Sequence, residues 1–401
     1  MKKKRTFAAI FNAVVVLLTC GAMGALAARE GCLGSPDDMT GFLLRYAGFL
    51  LVWLVTYLLA VILHEAGHLV FGLLTGYRFC SFRAGPVMLQ RTEDGLALKR
   101  FRMHGTGGQC LLEPPPWREE GFPCILYNLG GVLMNLLCVA VSVPLWLACP
   151  RGSFGSLIFI CMGLQHLMAA ILNGVPLRTG YVDNDGMNVR TLCGSNAARK
   201  CFWRSMMITA ALSRGESVEE MPEEWFIAPE TADLRQPFEA VEAGTAAVRL
   251  LLRGDHAAVR QLQDRLLAPD SALSGINRCS VMLDRMYLDI LEKGPEADIS
   301  VLTEALASGR AQKPRAGADP AEEDRKLLRG FVRAMRKDST SVLRVRYAAA
   351  CRVTGDAAEK AAVKEAFEAL AAGYPYPGDI AAERRLMAAA EAPQPGTQTV
   401  Q

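Results

Sequence analysis

The stretch Ala47–Leu74 reads AGFLLVWLVTYLLAVILHEAGHLVFGLL, and its first part, up to Leu63, carries no charged side chain. About 20 predominantly apolar residues are enough for a helix to cross the hydrocarbon core of a bilayer. Ionisable groups at that depth are costly and usually serve a function. The cluster of His64, Glu65 and His68 near the end of the run therefore indicates a functional site within a membrane helix.

His64 and His68 are four residues apart, so on a helix their imidazoles lie on one face, one turn from each other. This spacing lets both rings reach one tetrahedral Zn²⁺. Glu65, next to the first histidine, can accept a proton from water held at the metal. The chain has only five histidines, and the apolar flanks argue against two solvated histidines on a surface helix. The pattern predicts a zinc site with Glu65 as the general base.

Three more stretches are long and apolar enough to span a membrane, namely 7–28, 122–149 and 154–175. The first follows the basic start Lys2–Arg5 and ends near Ala25-Leu26-Ala27, which also suits a cleavable signal peptide. Its apolar run is long for a signal peptide, so we expect residues 1–30 to hold a transmembrane anchor.

Lys and Arg are concentrated at the N-terminus, in the loop 78–120 and after the fourth span. Because cytoplasmic loops carry the excess of positive charge, both termini are expected in the cytoplasm. We expect an integral protein of a bacterial plasma membrane. Within the loop, Val87–Gln90 and Leu96–Lys99 flank a turn that ends Asp94-Gly95, which predicts a β-hairpin.

The fourth span ends at Asn173-Gly174-Val175-Pro176, and Asp183 and Asp185 follow shortly after. Pro176 interrupts the helix and frees backbone groups, so the chain could turn back towards the metal there. Asp185 would then complete a set of two histidines and one carboxylate, with a fourth position for water. An ordinary Asp-Gly turn outside the membrane is the alternative, and Asp183 is an alternative ligand.

Together these motifs resemble those of the site-2 protease family of intramembrane metalloproteases, peptidase family M50. His64–His68 matches its HExxH motif, and Asn173–Pro176 with Asp185-Gly186 resembles its Asn-x-x-Pro…Asp-Gly motif. The resemblance implies Zn²⁺ held by His64, His68 and Asp185, with Glu65 as the catalytic base. It also implies a three-helix core within 41–193 and cleavage of membrane-embedded or membrane-adjacent protein segments.

Two asparagines are weaker candidates for binding the substrate or supporting the transition state. Asn135 ends a glycine-containing segment of the third span that resembles one in the same family, and Asn173 belongs to the Asn-x-x-Pro motif. Asn135 could hydrogen-bond a substrate backbone, or the segment could serve helix packing through Gly130 and Gly131. His166, inside the fourth span, either lines the cavity or is a satisfied packing residue.

The chain beyond the fourth span is charged and alanine-rich. We expect helical cytoplasmic regions at 194–307 and 324–390, a linker at 308–323 and a disordered tail at 391–401. Helices are predicted at 238–253, 256–267, 271–291, 325–336, 340–353 and 357–372. Their helix–turn–helix style suggests repeats of tetratricopeptide type, and a plain helical bundle that shields the protease domain is the alternative. The region could also bind a substrate or a protein partner.

The chain contains twelve cysteines but no CxxC pair, so we expect no disulfide framework. A net charge of +3 does not support a nucleic-acid partner. The expected fold is an all-α membrane protein with four transmembrane helices, a site-2-protease-like core, a β-hairpin loop and a helical C-terminal region. The expected function is intramembrane zinc proteolysis, and the alternatives are a catalytically silent membrane scaffold or a zinc hydrolase acting on another inner-leaflet substrate.

Overall fold

The computed structural model describes residues 2–34, 37–101, 107–118, 121–178, 183–273, 275–307 and 320–392. Contacts within the chain divide it into two units, Met1–Arg199 and Lys200–Gln401. The first contains four long apolar helices, a small sheet and a short helix. The regular elements of the second are all helices among its described residues, and loops connect them.

Four helices of the first unit are long and apolar enough to cross a membrane. They are α1 (Lys2–Arg29), α2 (Met39–Leu74), α3 (Cys124–Ala148) and α4 (Phe154–Gly174). Large apolar side chains point outward on them, including Leu17, Leu44 and Leu147, which are 70%, 70% and 72% exposed. Helices of this character at the four predicted positions confirm that part of the sequence analysis.

Hydropathy predicts that the second span starts near Ala47, but helix α2 begins earlier, at Met39. Asp38 caps it, because its carboxylate accepts a hydrogen bond from the Gly41 backbone N–H at 3.0 Å. An N-cap carboxylate satisfies one of the amide donors that a helix leaves free at its start. Capping therefore extends the helix beyond the apolar run that identified it.

Helix α3 packs against both α2 and α4, and α1 packs against α4. Helices α2 and α3 approach each other closely at Gly67 and Gly130. A Cβ at Gly67 would lie 2.7 Å from the Gly130 carbonyl carbon, and one at Gly130 would lie 3.0 Å from the His68 Cα. The two backbones are thus in direct contact, as small residues allow in packed membrane helices.

A four-stranded antiparallel sheet follows α2, with strand order β3-β2-β1-β4. Its strands are β1 (Arg78–Ala84), β2 (Val87–Thr92), β3 (Gly95–Arg100) and β4 (Gly108–Glu113). The predicted hairpin is confirmed as β2–β3, and its turn closes where Thr92 pairs with Gly95, whose φ of 121° suits glycine.

The expectation of an all-α fold with only a hairpin needs correction, because β1 and β4 complete a sheet. Strand β1 was not predicted because its three buried positions hold Cys80, Ser81 and Arg83, whereas its two phenylalanines are only half-buried. That composition hides the apolar–polar alternation that identifies a half-buried strand. Both β1 and β4 contact α2, and the Tyr127 hydroxyl of α3 donates to the Cys110 carbonyl of β4 at 2.8 Å. The sheet is thereby attached to the helices.

The remaining elements are helical. Helix α5 (Asp185–Gly194) follows the end of α4, and α6 (Asn196–Arg214) leads into the second unit. The other helices are α7 (Pro237–Leu252), α8 (His256–Leu266), α9 (Gly275–Lys293), α10 (Ser300–Leu306), α11 (Pro320–Met335), α12 (Thr340–Ala349), α13 (Ala357–Gly373) and α14 (Pro377–Glu391). Helices α7–α9 and α11–α13 confirm the predicted stretches, whereas α10 and α14 were not among them.

The second unit is organised around α9 and α12, which pack against each other. Helices α13 and α14 both pack on α12, and α14 also contacts α7. The Tyr287 hydroxyl of α9 donates to the Leu386 carbonyl of α14 at 2.6 Å. Contacts between helices so far apart in sequence form a bundle, which differs from the suggested repeats, where each repeat contacts only its neighbours.

Two predicted segments fall partly outside the described residues. Of the linker predicted at 308–323, residues 308–319 are outside, and the rest is helical because α11 begins at Pro320. Proline is favoured at the first position of a helix, where its missing N–H has no partner to lose. Of the tail predicted at 391–401, Glu391 closes α14, and residues 393–401 lie outside.

Candidate metal centre

Helix α2 places the two predicted histidines on one face. Their Nε2 atoms are 3.3 Å apart, and their rings stand almost perpendicular at 84°. The side chains of His64 and His68 are only 12% and 11% exposed. The two imidazoles pack edge to face, and their Nε2 atoms converge. They could therefore provide two ligands of one coordination site.

The carboxylate of Asp185 completes the cluster. Its Oδ2 lies 3.2 Å from the Nε2 of His64 and 3.5 Å from the Nε2 of His68. Two ligands in a tetrahedron with metal bonds of about 2.0–2.1 Å stand roughly 3.3–3.4 Å apart. The three measured separations therefore match the edges of one face of such a tetrahedron, and these side chains could hold a metal ion.

The same Oδ2 of Asp185 is buried, and apart from its contacts with the two imidazole nitrogens it has no hydrogen-bond partner in the described part of the chain. Buried polar atoms are nearly always paired. Two nitrogen ligands and one oxygen ligand around this atom are a donor set that suits a divalent cation such as Zn²⁺. A cation at the centre of the three atoms would give the carboxylate oxygen a positive partner.

Asn184 explains why Asp185 reaches the histidines. Its side-chain amide donates to the carbonyls of Leu172 and Val175, both at 2.7 Å, at the end of α4. Its Oδ1 accepts from the backbone N–H of Met187 at 3.0 Å and so caps α5. One side chain thus ties the start of α5 to the break after α4, and Asp185 is the first residue of the capped helix.

Sequence analysis did not identify Asn184, although an asparagine just before a helix is a typical N-cap. The glycine after Asp185 has a structural reason too. A Cβ at Gly186 would lie 2.7 Å from the carbonyl carbon of Gly174 at the end of α4. Gly186 is therefore needed for close packing of α5 on α4.

The alternative ligand, Asp183, faces a different partner. It forms a β-bridge with Arg178, and its Oδ2 lies 3.9 Å from the Arg178 Nε. Of the two aspartates, the structure brings only Asp185 into the group with the histidines.

Each histidine also has a partner for its other ring nitrogen. The Nδ1 of His68 lies 2.8 Å from the Tyr127 carbonyl oxygen on α3. The Nδ1 of His64 lies 2.9 Å from the side-chain amide of Asn135, also on α3. Outer partners of this kind orient metal-binding histidines and fix which nitrogen carries the proton.

Glu65 is 9% exposed and points towards the sheet. Its side chain fills the space beside Gly108 of β4, so closely that a Cβ at Gly108 would overlap the Glu65 carboxyl group. The buried Arg83 of β1 holds this strand, because it donates to the carbonyl oxygens of Gly108 at 3.0 Å and Gly85 at 2.9 Å. The sheet therefore borders the site on the side of Glu65, which sequence analysis did not anticipate.

The two weaker candidates have different surroundings. The Asn173 amide donates to the Ala169 carbonyl of its own helix at 3.0 Å. Asn135 is fully buried, and its amide lies between His64 and His166 rather than facing an open surface. A Cβ at the neighbouring Gly131 would lie 2.6 Å from the His64 Nδ1, so this glycine makes room for the imidazole.

All twelve cysteines are free thiols, so the structure has no disulfide framework and its cysteines do not extend the cluster.

In comparisons with known proteins, the chain matches no family model, no curated protein and no solved structure.

Proposed function

We propose that this protein is an intramembrane zinc metalloprotease, similar to the site-2 proteases, whose ligands are His64, His68 and Asp185. One observation carries the proposal. Three side-chain atoms with lone pairs converge at 3.2–3.5 Å in a buried place, next to a buried glutamate. In the proposed topology, α1–α4 cross the bacterial plasma membrane, both termini are cytoplasmic, and α2–α4 form the core.

A Zn²⁺ ion held by His64, His68 and Asp185 would lower the pKa of a water molecule towards about 7 and polarise the carbonyl of the scissile bond. Glu65 takes a proton from the attacking water and delivers it to the leaving amine, as a general base and then a general acid. Its position beside β4 excludes bulk water from one side of its carboxyl group. The substrate segment must be unwound before attack, because an intact helix keeps its carbonyl groups in hydrogen bonds.

The test uses the full chain purified in detergent and a probe substrate. The probe is a synthetic oligoleucine transmembrane peptide with a central Asn-Pro break and a fluorophore–quencher pair. Glu65→Gln should keep its zinc and lose cleavage by at least about 100-fold, within the range for removal of a general base. The matched control is Glu93→Gln, which alters an exposed acid in the β2–β3 turn and should cleave as wild type does.

Equal cleavage of the probe by wild type and Glu65→Gln would show that Glu65 is not the general base. Wild-type protein without stoichiometric zinc would contradict the metal centre. Wild-type protein that holds zinc yet leaves both the probe and unfolded casein uncut would support the silent scaffold instead.

A further inference from the structure

A chain of buried polar side chains leads away from His64. Asn135 of α3 and His166 of α4 are both 0% exposed. The Asn135 Nδ2 lies 2.9 Å from the His64 Nδ1, and its Oδ1 lies 2.9 Å from the His166 Nδ1. The His166 Nε2 is buried without a hydrogen-bond partner among the described residues. Neither residue belongs to the three proposed ligands.

The hydrogen bond between Asn135 and His64 depends on which imidazole nitrogen of His64 carries the proton. A neutral imidazole has one N–H and one lone pair. For the His64 Nε2 to bind a metal, its Nδ1 must carry the proton and donate it to an acceptor. The amide nitrogen of Asn135, which faces the Nδ1 here, is a donor and matches the opposite tautomer, whose Nε2–H would point into the cluster.

The metal-binding tautomer is satisfied if the Asn135 amide turns by 180°, since its two ends have similar shape. The amide oxygen then accepts from His64, and the amide nitrogen donates to the Nδ1 of His166. His166 can accept that bond because its own proton then sits on Nε2. Every hydrogen bond between the three side chains is made in this arrangement.

His68 is fixed differently. Its Nδ1 faces the Tyr127 carbonyl, a backbone acceptor that cannot exchange its oxygen for a nitrogen. His64 depends on an amide that can present either end. The side chain on the far side of that amide therefore decides how well the oxygen is held towards His64.

We propose that Asn135 and His166 are positioning residues that hold His64 in its metal-binding tautomer and thereby raise the affinity of the site for zinc. This inference rests on the proposed metal centre. It differs from the substrate contact suggested for Asn135 by its sequence, because both ends of the amide are engaged within the protein.

The experiment measures zinc affinity of the full chain in detergent by competition with a chromogenic chelator, together with the visible spectrum of the Co²⁺-substituted protein. His166→Leu removes the acceptor and should lower zinc affinity by about 10-fold, the lower end of the effect of outer partners. His166→Gln, which offers a carbonyl oxygen as acceptor, should regain most of the affinity and the wild-type cobalt spectrum.

Gln165→Leu is the matched control. Gln165 is the preceding residue of α4 and is 1% exposed, but its amide donates to the Trp53 carbonyl at 2.9 Å, outside the His64 chain. This variant should bind zinc as wild type does. If it lost as much affinity as His166→Leu, the effect would be one of packing and the inference would fail.

Failure of the inference differs from failure of the metal centre. Wild type with zinc and unchanged affinity in His166→Leu would refute only the tautomer role. Wild type without zinc would refute both. If His166→Leu does not fold, Asn135→Leu replaces it. Asn135→Leu should lose about 10–100-fold in zinc affinity, whereas His166→Gln should keep a nearly normal zinc affinity. Equal affinities in that pair would overturn the proposal.

Discussion

Each unit of the protein buries acidic side chains, and the two units balance them differently. In the second unit, Arg344 pairs with Asp284 and with Glu383, whose Oε2 lies 3.1 Å from an Arg344 nitrogen. Arg344 is 2% exposed, and its guanidinium also lies 4.9 Å from the centre of the Tyr287 ring. In the first unit, Asp185 faces two imidazole nitrogens and, among the described residues, no Lys or Arg.

The difference indicates what each cluster is for. A buried carboxylate is costly unless a positive partner compensates it. The second unit supplies that partner from its own sequence, which ties α9, α12 and α14 together. The first unit supplies imidazoles, whose nitrogens are neutral when they bind a metal, so in the candidate centre a bound cation would provide the compensating charge. A structural charge cluster and a candidate metal centre can be told apart by this criterion.

The largest expected effect is at Asp185. Asp185→Asn removes the anionic ligand, so zinc affinity should fall by more than the about 10–100-fold that loss of an outer partner costs. Metal analysis of the purified protein checks this. Asp183→Asn is the control, because Asp183 pairs with Arg178, and it should retain zinc. Loss of zinc in the Asp183 variant alone would reverse the assignment of the third ligand.

A substitution at Arg344 tests the charge cluster of the second unit. Arg344→Met leaves two buried carboxylates without their cation and should destabilise the second unit by about 3–5 kcal/mol. Hydrogen exchange of α9, α12 and α14 peptides in the full chain measures this locally. The control is Arg384→Met, which breaks an exposed pair with Glu368 and should cost about 0–1 kcal/mol. Similar protection in both variants would show that the buried cluster contributes little.

Asp379, at the start of α14, represents a third way to bury an acid. Burial and the neighbouring charge of Glu383 raise its pKa to about 7, from 3.8. The folded state then holds a proton that the unfolded state has released, so stability should fall as the pH rises from about 4 to about 7.

Asp379→Asn should remove that slope. At pH 8 the variant should be more stable than wild type by roughly 1–2 kcal/mol, since each pKa unit corresponds to about 1.4 kcal/mol and partial exposure reduces the effect. Hydrogen exchange of α14 at pH 5 and pH 8, corrected for the intrinsic rate, is the measurement. Parallel pH profiles of the two proteins would contradict the assignment.

Local patterns in the sequence were enough to predict the four apolar helices, the β2–β3 hairpin and most helices of the second unit. These elements depend on composition and periodicity within one segment. The pairing of β1 with β4 joins residues on either side of that hairpin. Such pairing leaves little trace in a single sequence, and β1 lacks a clear alternation.

For the candidate site too, the residues that a local pattern identifies could be predicted, and those that depend on tertiary contacts could not. His64, Glu65 and His68 stand together in one helix, so spacing alone identified them. Asp185 was found through a motif, whereas the capping role of Asn184 depends on carbonyl groups at the end of α4. Gly108 reaches the site only through tertiary packing. His166 stood out as a polar residue inside the fourth span, but its contact with Asn135 also depends on tertiary packing.

The contact between Gly67 and Gly130 has a mechanical consequence. Because two peptide backbones touch there, no deformable side chain lies between the helix that carries the histidines and the helix that carries Tyr127 and Asn135. These two helices cannot approach further, and separating them would pull both imidazoles away from their outer partners. Because α5 begins with Asp185 and Asn184 ties it to the end of α4, a motion that opens the candidate site while keeping its three side chains together must come from the sheet.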